Sequence, residues 1–444
     1  MKVKGFIVLL MMIACTQKMF AQKVTLYLCN NQKLEYDILL VDSITFKDTQ
    51  ETPLITDLWD YMQFNPYLTK LKAYIENKKP GILFYNKDYV PLKGGEDWDM
   101  YLKCFNAQIN EGDSAYIMVM PTNEAWDKAI RKLAPLYRYP NRYEDKMNDI
   151  YVHVRNIEDP DSLANMSMSM DITSPLVFNR HEQPEDGSYL LNTRGDTLRS
   201  TATWNMNSIF NGYRGGVWDN KCYEATEWAM PKEWYFPDIE VEIDDEVYYG
   251  KESAIYYKAG DESKKIDFDS NRFSDIVDKY GRVSRNDFYW LSAPSAVSNP
   301  QVEIKLTNNV MSGKYDIYAV MVPYWYCKLT EEGFADRIRD DQSFADSVSA
   351  ICKMCFTARV RYNNNEKNGH DVLSAKTQNF EYDGTKVDTI LIAEDFEFPF
   401  SYKNLRYTYP TLILQGAVNS KMIKDGFQYS LCIDRILLKS KEEE

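Results

Sequence analysis

From residue 239 to 438 the chain is a succession of short apolar, β-rich segments parted by polar turns, and this restricts the fold more than any other feature. Strands are expected over 239–243, 254–257, 302–306, 315–322, 356–362, 388–392, 412–414 and 429–438. So many short strands in series bury their apolar faces most simply as two stacked sheets. An all-β, jelly-roll-like sandwich is therefore expected over 237–444.

The preceding half carries mixed grammar. Thr56 can cap a helix in which Leu58, Trp59 and Met62 form one apolar face. Asn65-Pro66 restarts the chain with a cap and a first-turn proline, and Leu68, Leu71 and Ile75 follow at helical spacing. The apolar run 115–120 suits a buried strand. It breaks at Pro121, where Thr122 or Asn123 can cap a helix reaching about Leu133. Residues 135–165 are polar and predict a mixed helical insertion; 176–228 turns β-like, with Gly and Asn at the turns. Pro231 and Pro237 bracket Trp234-Tyr235-Phe236, the expected boundary. The chain thus divides into a short β-module (22–50), an α+β domain (54–236) and the sandwich.

The first 21 residues predict an export signal. Lys2 and Lys4 precede an apolar run from Phe6 to Ala14, too short to span a bilayer. Cleavage after Ala21 is one reading; Ile13-Ala14-Cys15 also resembles the end of a lipobox, with Cys15 as the lipidated residue. The expected location is the bacterial cell envelope, at the outer-membrane surface or in the periplasm. The net charge of −14 argues against nucleic acid as a partner, and a mean hydropathy of −0.49 excludes a polytopic membrane protein.

Little in the sequence speaks for catalysis. Phosphate-loop, dinucleotide, zinc-protease and nucleophile-elbow motifs are missing. Three histidines are widely spaced, and His181 sits in a polar loop, so no metal or cofactor is expected. Asp267, Asp269 and Asn271, with Asp275 and Asp278, have oxygen donors for calcium, but Arg272 stands where the loop would need glycine. They read as a solvated acidic loop. Cys352 and Cys355 form C-x-x-C within a strand-like stretch, where positions i and i+3 face opposite sides, so core packing is expected.

Tyr116-Ile117-Met118-Val119-Met120-Pro121-Thr122-Asn123-Glu124-Ala125-Trp126 closely resembles the first signature of the fasciclin domain family. The helical segment Leu58 to Ile75 is similar to that family's opening, and Asn220 to Trp228 to its closing strand, with Lys221 in place of the usual glycine. The resemblance covers 54–236 and implies an α+β extracellular adhesion or interaction module, not an enzyme. Tyr36 to Phe46 resembles a β-module of secreted Gram-negative proteins. The segments 312–320 and 433–438 resemble carbohydrate-module-like sandwiches that accompany bacterial fasciclin domains.

The expected function is non-catalytic surface interaction or adhesion with a protein or glycan partner; the alternative is glycan capture by the C-terminal sandwich. For the latter, aromatic rings that could stack on sugar C–H faces are Tyr324, Trp325 and Tyr326 at a strand end, with Tyr289 and Trp290 and, further off, Trp234. Asp-Ser/Thr-apolar tripeptides centred on Ser43, Ser114, Ser162, Thr197, Ser347 and Thr389 resemble an O-glycosylation sequon of some Gram-negative anaerobes.

Overall fold

The computed structural model describes residues 23–27, 33–37, 58–76, 116–148, 151–179, 189–193, 195, 197–199, 216–217, 222–225, 232–242, 255–259, 262–267, 269–293, 299–405 and 407–442. The leader with Cys15, and Ser43 and Ser114, lie outside these residues. Residues 1–54 and 55–444 are two units. In the first, β1 (Lys23–Tyr27) and β2 (Lys33–Asp37) form an antiparallel hairpin with Lys23 opposite Asp37.

The second unit opens with α1 (Leu58–Phe64) and α2 (Thr69–Glu76), which bury Leu58, Met62, Leu71 and Ile75. Between them the Asn65 side chain accepts the Tyr67 N–H at 2.9 Å and caps the 3-10 turn Pro66–Leu68. β3 (Tyr116–Pro121) runs into α3 (Asn123–Leu133), where the Thr122 hydroxyl accepts the Ala125 N–H at 3.3 Å. Asn123 ties the two helical segments together, accepting the Lys70 N–H at 3.0 Å.

β4 (Arg142–Asn148) and β5 (Tyr151–Asn156) form an antiparallel hairpin, and α4 (Pro160–Thr173) follows. The polar composition of 135–165 predicts a mixed helical insertion; the hairpin within it was not expected. Its charges are not simply solvated: Asp145 and Lys146 are buried, and the Lys146 N–H donates to the Tyr407 carbonyl at 2.6 Å. Tertiary docking thus overrides local propensity.

β6 (Val177–Asn179), β7 (Tyr189–Leu191), β8 (Thr197–Arg199), β9 (Gly216–Val217) and β10 (Cys222–Ala225) complete this half. β3 sits inside a four-stranded sheet ordered β6-β3-β10-β9, antiparallel to β6 and parallel to β10. A short helix, α5 (Lys232–Tyr235), leads onward.

The C-terminal region is rich in β-structure. In chain order it contains β11 (Ile239–Glu242), β12 (Ile255–Ala259), β13 (Glu262–Asp267), α6 (Ser274–Tyr280), β14 (Asp287–Ser292), β15 (Gln301–Lys305) and β16 (Gly313–Met321). Then come α7 (Phe334–Asp340), α8 (Gln342–Ala350), β17 (Met354–Lys367), β18 (His370–Leu373), β19 (Phe380–Tyr382), β20 (Asp388–Phe398), β21 (Thr411–Gly416), α9 (Ser420–Lys424) and β22 (Ser430–Lys441). One six-stranded sheet has the order β13-β14-β22-β16-β20, with β11 also on β22. The other has the order β12-β15-β21-β17-β18, with β19 also on β17. The two meet through aromatic edges: Tyr362 of β17 packs on Phe396 of β20 at 5.4 Å. Each expected strand is present; α6, α7, α8 and α9 were not expected.

One hydrophobic cluster runs from Leu58 to Leu438, across the expected 236/237 boundary. Phe236 lies edge-on to Tyr315 at 5.1 Å, joining the link to β16. Among the described residues no helix is long and apolar enough to cross a membrane.

Candidate functional site

The rings singled out for sugar stacking are largely core. Trp325 and Tyr326 lie in the 3-10 turn Tyr324–Lys328 after β16, each only 1% exposed. Trp325 Nε1 donates to the Gly384 carbonyl (3.2 Å) and its ring meets Tyr280 edge-on at 5.2 Å. The Tyr326 hydroxyl donates to the Gly281 carbonyl at 2.8 Å. Trp290 is buried on β14, with Tyr324 tilted against it at 6.3 Å. Tyr324 and Tyr289 are half-buried against the same core. A sugar face cannot reach Trp325, Tyr326 or Trp290, which corrects that expectation: strand-end rings fill the gap between the sheet and α6. Of Trp234, only the backbone is described.

The acidic loop is tied up in its own contacts. Asp269 accepts the Asn271 and Arg272 N–H groups (3.0 and 3.2 Å), Asp275 pairs with Arg339 at 2.5 Å, and Asp278 with Arg282 at 2.5 Å. The C-x-x-C thiols part company: Cys352 packs in the main core, Cys355 in a separate cluster with Val418 and Phe427. Of the modification candidates, Ser162, Ser347 and Thr389 are exposed, and Thr197 lies on β8.

A crevice of about 560 Å³ opens elsewhere, where the end of α4, the link after α5 and two loops of the C-terminal sheets converge. Its wall is a buried polar cluster. Tyr137, from the 3-10 turn after α3, donates its hydroxyl to the Asp171 carboxylate of α4. Lys403 donates to the same oxygen and lies 3.2 Å from the Tyr137 hydroxyl. Burial, then the Asp171 charge, pushes the Tyr137 hydroxyl well up, so it stays a neutral donor.

The loop carrying Lys403 is held from three sides. Ser401 N–H donates to the Arg138 carbonyl (2.6 Å), Tyr402 N–H to the Val310 carbonyl (2.8 Å), and the Tyr139 hydroxyl to the Lys403 carbonyl (2.8 Å). Asn404 follows in the left-handed region (φ 63°), with its side chain beside the Tyr139 hydroxyl. Met170, Pro175, Pro237, Ile239 and Met311 add apolar lining.

Glu233, Asp238 and Glu240 form an exposed acidic lip. Burial acts to raise the Asp238 carboxyl, but hydrogen bonds from Lys439 and from the Ser440 N–H and hydroxyl outweigh it and hold it below the ordinary range. A smaller cavity of about 290 Å³ lies beyond Phe236, lined by Lys132, Arg138, Lys314 and Lys441 with Glu397 and Glu442. Gly313 allows that approach: at φ 140° a Cβ there would come within 2.9 Å of the Phe236 ring.

None of the crevice residues was singled out from the sequence as a site residue; Pro237 and Ile239 entered only as a boundary and a strand start. Tyr137, Asp171 and Lys403 come from three distant segments, and no spacing rule links them.

No family model and no curated protein matches the sequence. Among solved structures, the chain is similar to the family 11 carbohydrate-binding module from Clostridium thermocellum, solved in complex with a β-1,3-1,4-mixed-linked tetrasaccharide. The identity is 10% and the TM-score 0.21, over 46% of this chain and 98% of that chain.

Proposed function

We propose that this is an exported, non-catalytic interaction protein of the bacterial cell surface, and that its crevice binds a glycan. The carrying observation is the fixed polar wall. Asp171 offers an acceptor whose position is set by Tyr137 and Lys403, and Asn404, next to Lys403, lines the same crevice. Sugar hydroxyls both donate and accept, and their C–H faces suit Met and Pro side chains.

The non-catalytic reading draws on the carboxyls. A general acid for glycoside cleavage needs a raised carboxyl beside the bond it protonates. On the crevice, Asp238 is held low. The raised Asp434, Asp371 and Glu242 are buried in β22, β18 and β11.

Export rests on the leader pattern of residues 1–21, with Cys15 as the lipid-anchor alternative. The fasciclin-like assignment of 54–236 draws support from β3 running into a Thr122-capped helix, as the signature implies. The jelly-roll-like sandwich of 237–444 draws support from the two antiparallel six-stranded sheets.

The test is affinity electrophoresis of the full chain through gels holding single polysaccharides. Retardation by at least one, weakened about tenfold by Asn404→Gly with thermal stability kept, is expected. Glycine retains the left-handed backbone while removing the amide. Equal retardation of both proteins, or binding to protein partners alone, would refute the glycan reading. Turnover of a retained polysaccharide would refute the non-catalytic one.

A further inference from the structure

The hairpin from β17 to β18 turns on two residues, Asn368 and Gly369, with Lys367 opposite His370. Both occupy positive φ, Asn368 at 51° and Gly369 at 96°, as a tight two-residue turn requires. Packing excludes other residues at the second position. A Cβ on Gly369 would come within 2.6 Å of the Arg142 Cβ and 2.8 Å of Val154 Cγ1, both in the β4–β5 hairpin. The fold thus places an Asn-Gly bond at the joint that also carries the Lys146–Asp371 pair. Nothing ties up the two groups that can react there. The Asn368 side chain is exposed, and among the described residues neither its amide nor the Gly369 N–H makes a hydrogen bond. Glycine also brings no Cβ to shield its own nitrogen.

We propose that Asn368 is a self-modification site, converting to isoaspartate and aspartate at a rate set by the docking of this turn on the β4–β5 hairpin. Water is the co-reactant. When the turn lifts from Arg142 and Val154, the Gly369 N–H loses its proton to hydroxide, and the nitrogen attacks Asn368 Cγ. The Cγ–Nδ2 bond breaks, and Nδ2 takes up a proton and leaves as ammonia. The product is a five-membered cyclic imide, which water opens at either carbonyl. Breaking the nitrogen–Cγ bond gives aspartate; breaking the bond from nitrogen to the main-chain carbonyl carbon gives isoaspartate. One asparagine and one water become one acid and one ammonia, a lability intrinsic to asparagine. Isoaspartate adds a methylene to the main chain within the turn. Lys367 and His370 then lose their register, and Gly369 its seat on Arg142 and Val154.

The full chain is aged at pH 8, native and in guanidinium chloride, and then digested with trypsin at mildly acidic pH. Mass spectrometry of the peptide 368–376 reads Asn368 apart from Asn211-Gly212, which lies outside the described residues. Enzymatic methylation of isoaspartate separates the two products. The native chain should convert at Asn368 with isoaspartate in excess, severalfold more slowly than the unfolded chain. Val154→Ala, which thins the seat of Gly369, should convert severalfold faster than the native wild type. A native peptide that keeps its amide, aspartate without isoaspartate, or equal rates in the native and unfolded chains would overturn the proposal. So would equal rates in the wild type and a folded Val154→Ala. If that variant does not fold, the native and unfolded wild-type rates decide the matter.

Discussion

Lys146 and Asp371 form a buried ion pair between the β4–β5 hairpin and β18, an edge strand of the second C-terminal sheet. Nζ and Oδ2 are 2.7 Å apart, with the Asp371 side chain 1% exposed. The ammonium also donates to the Tyr409 carbonyl at 2.7 Å and lies over the Tyr409 ring. Glu144 completes the joint, accepting the Asp371 N–H at 3.0 Å with His370 Nδ1 3.2 Å away. Burial, opposed mainly by Lys146, raises the Asp371 carboxyl, and its Oδ1 has no hydrogen-bond partner.

Lys146→Met should therefore destabilise the protein by about 3–5 kcal/mol, because it strands a buried carboxylate. Lys146→Met/Asp371→Leu should cost clearly less. Urea unfolding of the single and double variants checks this; equal losses would mean that the charges are solvated.

Asp434 gives a pH dependence. Its buried carboxyl is pushed up to about 7 by burial, against the pull of Arg435 and the Ser284 N–H, with Glu242 and Asp287 adding like charge. Between about pH 4 and 7 the folded state keeps a proton that the unfolded state releases, so this group's contribution to stability falls as pH rises. Asp434→Asn should flatten that fall and gain on the wild type by about 2–4 kcal/mol at pH 8. Melting curves from pH 4 to 8 provide the check, and a constant difference would contradict the burial argument.

Trp325 should matter to folding and not to ligand. Trp325→Ala empties a fully packed site and should cost about 3–5 kcal/mol in chemical denaturation. Trp325→Phe should keep polysaccharide retardation unchanged. Loss of binding in a well-folded Trp325→Phe protein would return this ring to the site.

Ser162, Ser347 and Thr389 are the described sequon residues with exposed side chains, in α4, α8 and β20. Glycopeptides at these three positions are expected from the protein as made by its own cell. Peptide mapping that finds all three unmodified would reject the sequon reading.

Legibility in the sequence followed the range of the forces involved. The Pro121-Thr122-Asn123 punctuation predicts the end of β3 and the start of α3 because caps and prolines act within one turn. The C-terminal strands were legible because apolar runs and turns are local too. The β4–β5 hairpin was not: its polar residues become strand only by docking Lys146 against Asp371, more than 200 positions away. For Trp325 the sugar-ring expectation failed likewise, since the ring resembles a loop platform until α6 and the Gly384 turn close over it. Nothing local marks Asp171 or Lys403.

The most direct test of the crevice is hydrogen exchange followed by mass spectrometry, with and without a polysaccharide that retards the full chain. Slowed exchange should centre on the end of α4, residues 307–311 and residues 401–405, and should be weaker in Asn404→Gly at the same polysaccharide concentration. Protection centred instead on 324–328, or no protection with any polysaccharide in the panel, would contradict glycan binding at this wall.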